Sequence, residues 1–331
     1  MKLLASFKPE WYERPHHSYG VIARIDWPSR QVEAVLRLPS ASYRHRDAFM
    51  APLTGGICRL GERLFAAMWN HLVEIDLRTL TVTNAVSHPW MADLHGMTTD
   101  GKHLWVVASA SECLLCLDPD TLDVMWRWGP DDAILESHPP AGFPPLQLWQ
   151  RWRRQRAAAV FPAEWRHVHK SRSPLYRHHL NDVSWHRGAL YLTTLSWFQQ
   201  PGGAVLRLDP RDRRASFLAT PGSLAGPHDG EDDGGRLLVT QSRARAVAWV
   251  DHDGTVTSRT VTPDPCFVRG LCPTPTGWLV GFTRLRRSAD PSWIVEYDRE
   301  FLHERGRMDV SGFYPPEQGC AVHALLALDE G

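Results

Sequence analysis

The sequence predicts an all-β chain folded as a six-bladed β-propeller, on three observations. Six short apolar runs end in aspartate and enter a turn: Ala23-Arg24-Ile25-Asp26, Val73-Glu74-Ile75-Asp76, Leu115-Cys116-Leu117-Asp118, Leu206-Arg207-Leu208-Asp209, Ala248-Trp249-Val250-Asp251 and Val295-Glu296-Tyr297-Asp298. Neighbouring copies lie 42 to 50 residues apart, with one gap of 91 between Asp118 and Asp209. The intervening segments read as strands and turns, which is the period and content of a toroid with one sheet per repeat. Asp118 and Asp209 precede proline, and Asp251 opens Asp-His-Asp-Gly. A side-chain acceptor followed by a preset φ is what a type I turn asks for.

Each aspartate ends the third strand of a four-stranded blade. Second strands precede it at 63–69, 103–109, 189–195, 236–241 and 278–282, and innermost strands come before those, near 55–60, 94–99, 180–186, 229–233 and 267–273. Fourth strands follow the aspartates, as at 80–86, 124–128 and 255–261. One blade is split: 1–7, 19–26 and 31–38 read as its second, third and fourth strands. The strand at 320–328 fills its vacant innermost slot, so the ring closes without the unpaired edges of an open array.

The chain is read as one domain over 1–331, with one insertion at 130–178. Within the insertion, 146–161 reads as a helix bounded by Pro145 and Pro162. A connection from a fourth strand to the next first strand lies on the face where the central strands begin. The insertion is therefore expected over the channel mouth as a lid, the alternative being an exposed decoration or partner contact.

Composition narrows the function classes. With 43% hydrophobic residues, zero formal net charge and no basic block, nucleic acid is not an expected partner. No run approaches the roughly 18 apolar residues of a membrane span, and the start at Met1–Lys8 is too short for a signal peptide. Six cysteines fall mostly within strands, and the three-residue spacing of Cys113 and Cys116 puts them on opposite faces of one strand. They are read as buried thiols of a cytoplasmic protein. Arginine outnumbers lysine 33 to 4, as in a GC-rich bacterial gene.

Aligning the starts of the innermost strands brings one residue per blade to the channel mouth: Gly55, His95, Asn181, His228, Arg269 and His323. Asp182 and Asp229 follow ring residues directly, and Asp93 and His179 lie two earlier on the same side. Convergent imidazoles have two chemical readings. His95, His228 and His323, with Asn181, are candidate ligands of a divalent metal whose open positions take water and substrate. The same histidines can instead work without metal as acid–base groups near neutral pH. Asp229, Asp182 and His179 are the candidate catalytic groups. Arg269, Trp197, His17 and Trp165 are candidates for binding a small polar or anionic substrate, from the ring, the mouth loops and the insertion. Most other tryptophans, among them Trp69, Trp105, Trp185, Trp249, Trp278 and Trp293, are expected in the wedges between blades.

The motifs Asp-Leu-His-Gly, His-Leu-Asn-Asp-Val and Gly-Pro-His-Asp-Gly resemble those of an uncharacterised bacterial β-propeller family, which carries Ile-His-Asp, His-Leu-Asn-Gly and Pro-His-Ser at successive inner strands. The resemblance spans roughly residues 90 to 240. It implies a shared channel-mouth site at His95, His179, Asn181 and His228, with no reaction attached. Where that family has Ser or Gly after the motif residue, this chain has Asp182 and Asp229. A more distant architectural likeness is to gluconolactonase, regucalcin-like and streptogramin-lyase propellers. The first two hold a divalent cation through Glu, Asn and Asp. Asn181 with Asp182 or Asp229 matches part of that set, and its leading glutamate has no counterpart in Met1-Lys2-Leu3-Leu4. The leading expectation is a metal-dependent hydrolase or lyase. The alternatives are a metal-free histidine enzyme and a non-catalytic binding scaffold.

Overall fold

A computed structural model of the chain describes residues 1–9, 19–39, 55–130, 178–197, 200–262, 264–284 and 291–328. Over these residues the protein is an all-β, six-bladed propeller. Strands β1 (Lys2–Lys8), β2 (Tyr19–Asp26) and β3 (Gln31–Pro39) belong to the split blade, here blade 6. Blade 1 is β4 (Ile57–Leu60), β5 (Arg63–Ala67), β6 (Leu72–Asp76) and β7 (Thr81–Val86). Blade 2 is β8 (Leu94–Thr99), β9 (Leu104–Ala108), β10 (Cys113–Leu117) and β11 (Val124–Trp128). Blade 3 is β12 (Leu180–His186), β13 (Ala189–Trp197), β14 (Gln200–Asp209) and β15 (Arg214–Leu224). Blade 4 is β16 (Pro227–Asp233), β17 (Arg236–Gln241), β18 (Ala246–Val250) and β19 (Val256–Thr260). Blade 5 is β20 (Cys266–Thr274), β21 (Gly277–Arg284), β22 (Trp293–Asp298) and β23 (Glu304–Asp309). The last strand, β24 (Ala321–Leu328), pairs antiparallel with β1, giving blade 6 the order β24-β1-β2-β3.

The aspartate turns form as their chemistry dictates. Asp118 Oδ1 accepts from the backbone N–H of Asp120 and Thr121 at 2.8 and 2.9 Å, and Asp76 Oδ1 from that of Thr79 at 2.7 Å. These backbone donors hold both carboxyls below their ordinary range.

Strand alternation builds the core at the seams between blades. All five residues of β10 are buried, but Cys113, Leu115 and Leu117 pack against blade 1 while Leu114 and Cys116 pack against blade 3. The two cysteines therefore serve different seams. Six extended apolar clusters of this kind fill the six seams among the described residues. Trp105 and Trp278 are among the largest fully buried side chains, in the wedges where they were expected. Outermost strands face solvent, as in β7 and β23. The helix expected at 146–161 lies outside the described residues; within them a short 3-10 turn spans Ser311–Phe313. No helix among the described residues is long and apolar enough to cross a membrane.

At the seam between blades 6 and 1, the fully buried Ser6 Oγ donates to Gly55 O at 3.0 Å and accepts from the Ala324 N–H at 3.1 Å. Ser6→Ala leaves a buried carbonyl and a buried N–H without this partner. Urea unfolding is expected to show a loss of about 1–3 kcal/mol. A change within about 0.5 kcal/mol, the range of neutral surface substitutions, would contradict this role.

Candidate functional site at the channel mouth

Strand register defines the ring. The pairing of innermost with second strand slips between Leu94 and Met97, between Leu180 and Asp182, between His228 and Glu231, and between Arg269 and Leu271. In blade 6 the slip on β1 falls opposite His323. Counted from the aspartate turns, these bulges bring His95, Asn181, His228, Arg269 and His323 to one level. Gly55 joins them through its N–H bond to Ala67 O. A bulge bends its strand and re-aims the side chain. His95, Asn181, His228 and His323 are each at most 8% exposed, and Arg269 is half-buried.

Four of the five bulges are fastened from the neighbouring blade, and the fastening falls on the carbonyl just before the ring residue. Ser109 Oγ donates to Leu180 O, Asn181 Nδ2 to Pro227 O at 2.8 Å, Ser242 Oγ to Val268 O at 2.8 Å and Thr283 Oγ1 to Val322 O at 3.4 Å. Those carbonyls precede Asn181, His228, Arg269 and His323. Two residues before the ring, Asp93, His179 and Gly226 all take left-handed φ, at 53°, 49° and 66°. Their carbonyls accept from the N–H of Ser109, Leu195 and Ser242. For Asp93 and His179 this is a sparsely populated conformation that the surrounding bonds must hold.

The left-handed turn gathers the imidazoles. The His95 ring lies 5.0 Å from that of His179 and 5.7 Å from that of His323, centroid to centroid. Asp93 Oδ1 stands 3.4 Å from His95 Nε2. Buried Glu112 accepts from the N–H groups of His178 and His179 at 3.1 and 2.7 Å, tying the entry of β12 to blade 2. His178 in turn lies against Trp197, 4.0 Å between ring centroids. Trp197 was expected in the wall that touches substrate. It is instead buried in the seam between blades 2 and 3, edge-on to Phe217 at 4.9 Å. The strand β13 runs on to Trp197 and carries it into the core rather than into a loop.

His228 is held in one tautomer. Its Nδ1 lies 3.1 Å from Gly226 O, which can only accept, and 2.9 Å from Ser242 Oγ, whose proton is committed to Val268 O. Nδ1 therefore carries the hydrogen and Nε2 keeps its lone pair. Nε2 is buried with no hydrogen-bond partner among the described residues. Burial, then the nearby Arg269 charge and the His95 ring, holds the imidazole well below its ordinary pKa, so it stays neutral. His323 is lowered in the same way, by burial first and then by Lys8 and Arg269. Asn181 is also fixed, because its amide N–H₂ faces a carbonyl; its Oδ1 is buried without a partner among the described residues.

Asp182 and Asp229 sit one step deeper and fasten strands. Asp182 packs on Gly96 so closely that a Cβ there would stand 1.6 Å from its Oδ1, and it accepts from the Val183 N–H at 2.9 Å. Asp229, itself at φ 56°, accepts from Thr240 Oγ1 at 2.5 Å and from the Gly270 N–H at 3.0 Å. Glu231 follows two residues later on the same strand, a group that period-two alternation from Asp229 would have pointed out. Burial raises all three: Asp182 well above its ordinary range, helped by Asp229; Asp229 to about 6; and Glu231 to about 8. Sequence reasoning also missed Ser242 and Glu112. Ser242 is legible once second strands are aligned, since Ser109 and Thr283 occupy the same register. Glu112 carries no local signal.

His17 and Trp165 lie outside the described residues, as does most of the insertion. Among the described residues no group of three or more His, Cys, Asp or Glu is spaced to hold a metal ion.

No protein-family profile and no curated protein matches the chain. Solved structures do match in fold. A Bacteroides caccae protein of unknown function aligns at TM-score 0.61 and 11% identity over 99% of both chains. A chain of a nidogen/laminin complex aligns at 0.59 and 10% identity, over 99% of this chain and 100% of its own. The Cps50 (Swd1) β-propeller domain of Myceliophteria thermophila aligns at 0.53 and 13%, over 88% and 82%. At these identities the likeness concerns the propeller architecture alone.

The raised carboxyls give a pH signature. A group that binds its proton more tightly folded than unfolded costs stability as pH rises between its two pKa values. For Glu231 that window runs from the ordinary 4.5 to about 8. The stability of Glu231→Gln relative to wild type is therefore expected to rise across this window and level off above it. A difference independent of pH in urea unfolding would contradict the buried-carboxyl assignment.

Proposed function

We propose that the protein is an enzyme acting on a small polar or anionic molecule at the channel mouth through metal-free imidazole acid–base chemistry. The observation that carries this reading is His228. It is neutral, fixed with hydrogen on Nδ1, and has an uncommitted lone pair on buried Nε2. That is the state a general base needs. Removing a proton beside an anionic group, or from a bound water, is the step it suits, which keeps hydrolysis and elimination as the reaction types. Arg269, one blade along, would offset negative charge on the substrate as it builds. His95, His179 and His323 form the neighbouring imidazole set through which the proton could be passed on or returned. Asp182 and Asp229, taken from sequence as catalytic candidates, are better suited to holding the strands that carry His228 and Arg269.

Consumption of metabolites from a cell extract, followed by mass spectrometry, tests the reading. Wild-type protein stripped of metal is expected to consume a substrate that His228→Ala leaves untouched. The rate is expected to hold below the ordinary histidine pKa and fall only as His228 finally protonates, since its folded pKa is depressed. Loss of consumption on stripping, restored by a divalent cation, would favour the metal-dependent reading. Consumption unaffected in His228→Ala would remove His228 from the chemistry, and no consumption by wild type would favour a binding scaffold.

A further inference from the structure

Resting on the reading of the ring as a small-molecule site, we infer that its substrate is a small carboxylate carrying a hydrogen-bond donor, amino or hydroxyl, on the adjacent carbon. Three consecutive blades supply the complement. Asn181 of blade 3 and His228 of blade 4 present Oδ1 and Nε2, both acceptors, both buried and both without a partner among the described residues. Their orientations are not adjustable. Turning the Asn181 amide over would set its oxygen against Pro227 O, and moving the His228 hydrogen to Nε2 would set a bare Nδ1 against Gly226 O. His323 Nδ1 is a further buried ring nitrogen with no partner among the described residues. Arg269 of blade 5 brings the guanidinium, whose planar donor fork matches a carboxylate.

A buried acceptor left unmet costs about 1–3 kcal/mol, and two locked at one level of adjacent blades make the site selective for what fills it. Sites built to bond a substrate O–H or N–H reject the analogue that lacks it far more strongly than apolar pockets reject a missing methylene. A plain carboxylate offers Asn181 and His228 only lone pairs. An α-amino or α-hydroxy acid offers donors there and its carboxylate to Arg269.

Calorimetric titration of the wild-type protein with alanine, lactate and propionate isolates the donor, since the three share a carbon skeleton. Alanine or lactate is expected to bind at least about tenfold more tightly than propionate, and whichever is preferred identifies the donor as ammonium or hydroxyl. In Asn181→Leu that preference is expected to shrink. If propionate binds wild type as tightly as the other two and Arg269→Gln removes the binding, the donor inference falls and the site reading stands. If none of the three binds wild type, both fall. The comparison within wild type needs no variant to fold.

Discussion

The site depends on one repeated interaction: a hydrogen bond from a neighbouring blade onto the carbonyl that precedes a ring residue. Ser109, Asn181, Ser242 and Thr283 each make it, across four successive seams. A propeller blade alone has no reason to hold its innermost strand at a fixed height on the axis. Apolar packing fills the seams, but it is non-directional. The carbonyl bonds are directional, and they fall where the register slips. Blades 2 to 5 therefore each set the side-chain aim of the next. Asn181 does both jobs at once, since its amide nitrogen fastens blade 4 and its oxygen is left for the channel mouth.

The same bonds decide protonation. Ser242 spends its only hydrogen on Val268 O, and this makes Ser242 an acceptor for His228. With Gly226 O it selects the Nδ1–H tautomer, and burial beside Arg269 keeps the ring neutral. One step deeper the logic reverses. Burial pushes Asp182, Asp229 and Glu231 toward the protonated form, and neighbouring carboxylates add to this for Asp182 and Glu231. Groups whose environments move their pKa values in opposite directions stand on adjacent residues, His228 and Asp229. Such divergence accompanies acid–base sites more often than purely structural ones.

The architecture was legible because its signals are local. The six aspartate turns can be read from sequence and mark the third strand of each blade, and the starts of the innermost strands can then be aligned. What could not be read depends on departures from regular strand geometry. Strict alternation places His179 on the side of Asn181, but its approach to His95 comes from a left-handed φ that His only rarely adopts. The end of a strand and the start of a loop look alike in sequence at Trp197, and β13 continues two residues beyond the expected strand end at 195. The metal expectation treated three imidazoles at one level as one ligand set. Ring height does not fix donor spacing.

The central claim is the state of His228, and side-chain ¹⁵N spectroscopy of its imidazole reads it directly. At about pH 6, where an ordinary histidine with pKa near 6.5 is mostly charged, the account predicts a neutral ring with hydrogen on Nδ1 and a bare Nε2. Replacing Ser242 with alanine should weaken that preference. A charged imidazole at this pH, or a neutral one with its hydrogen on Nε2, would contradict the account.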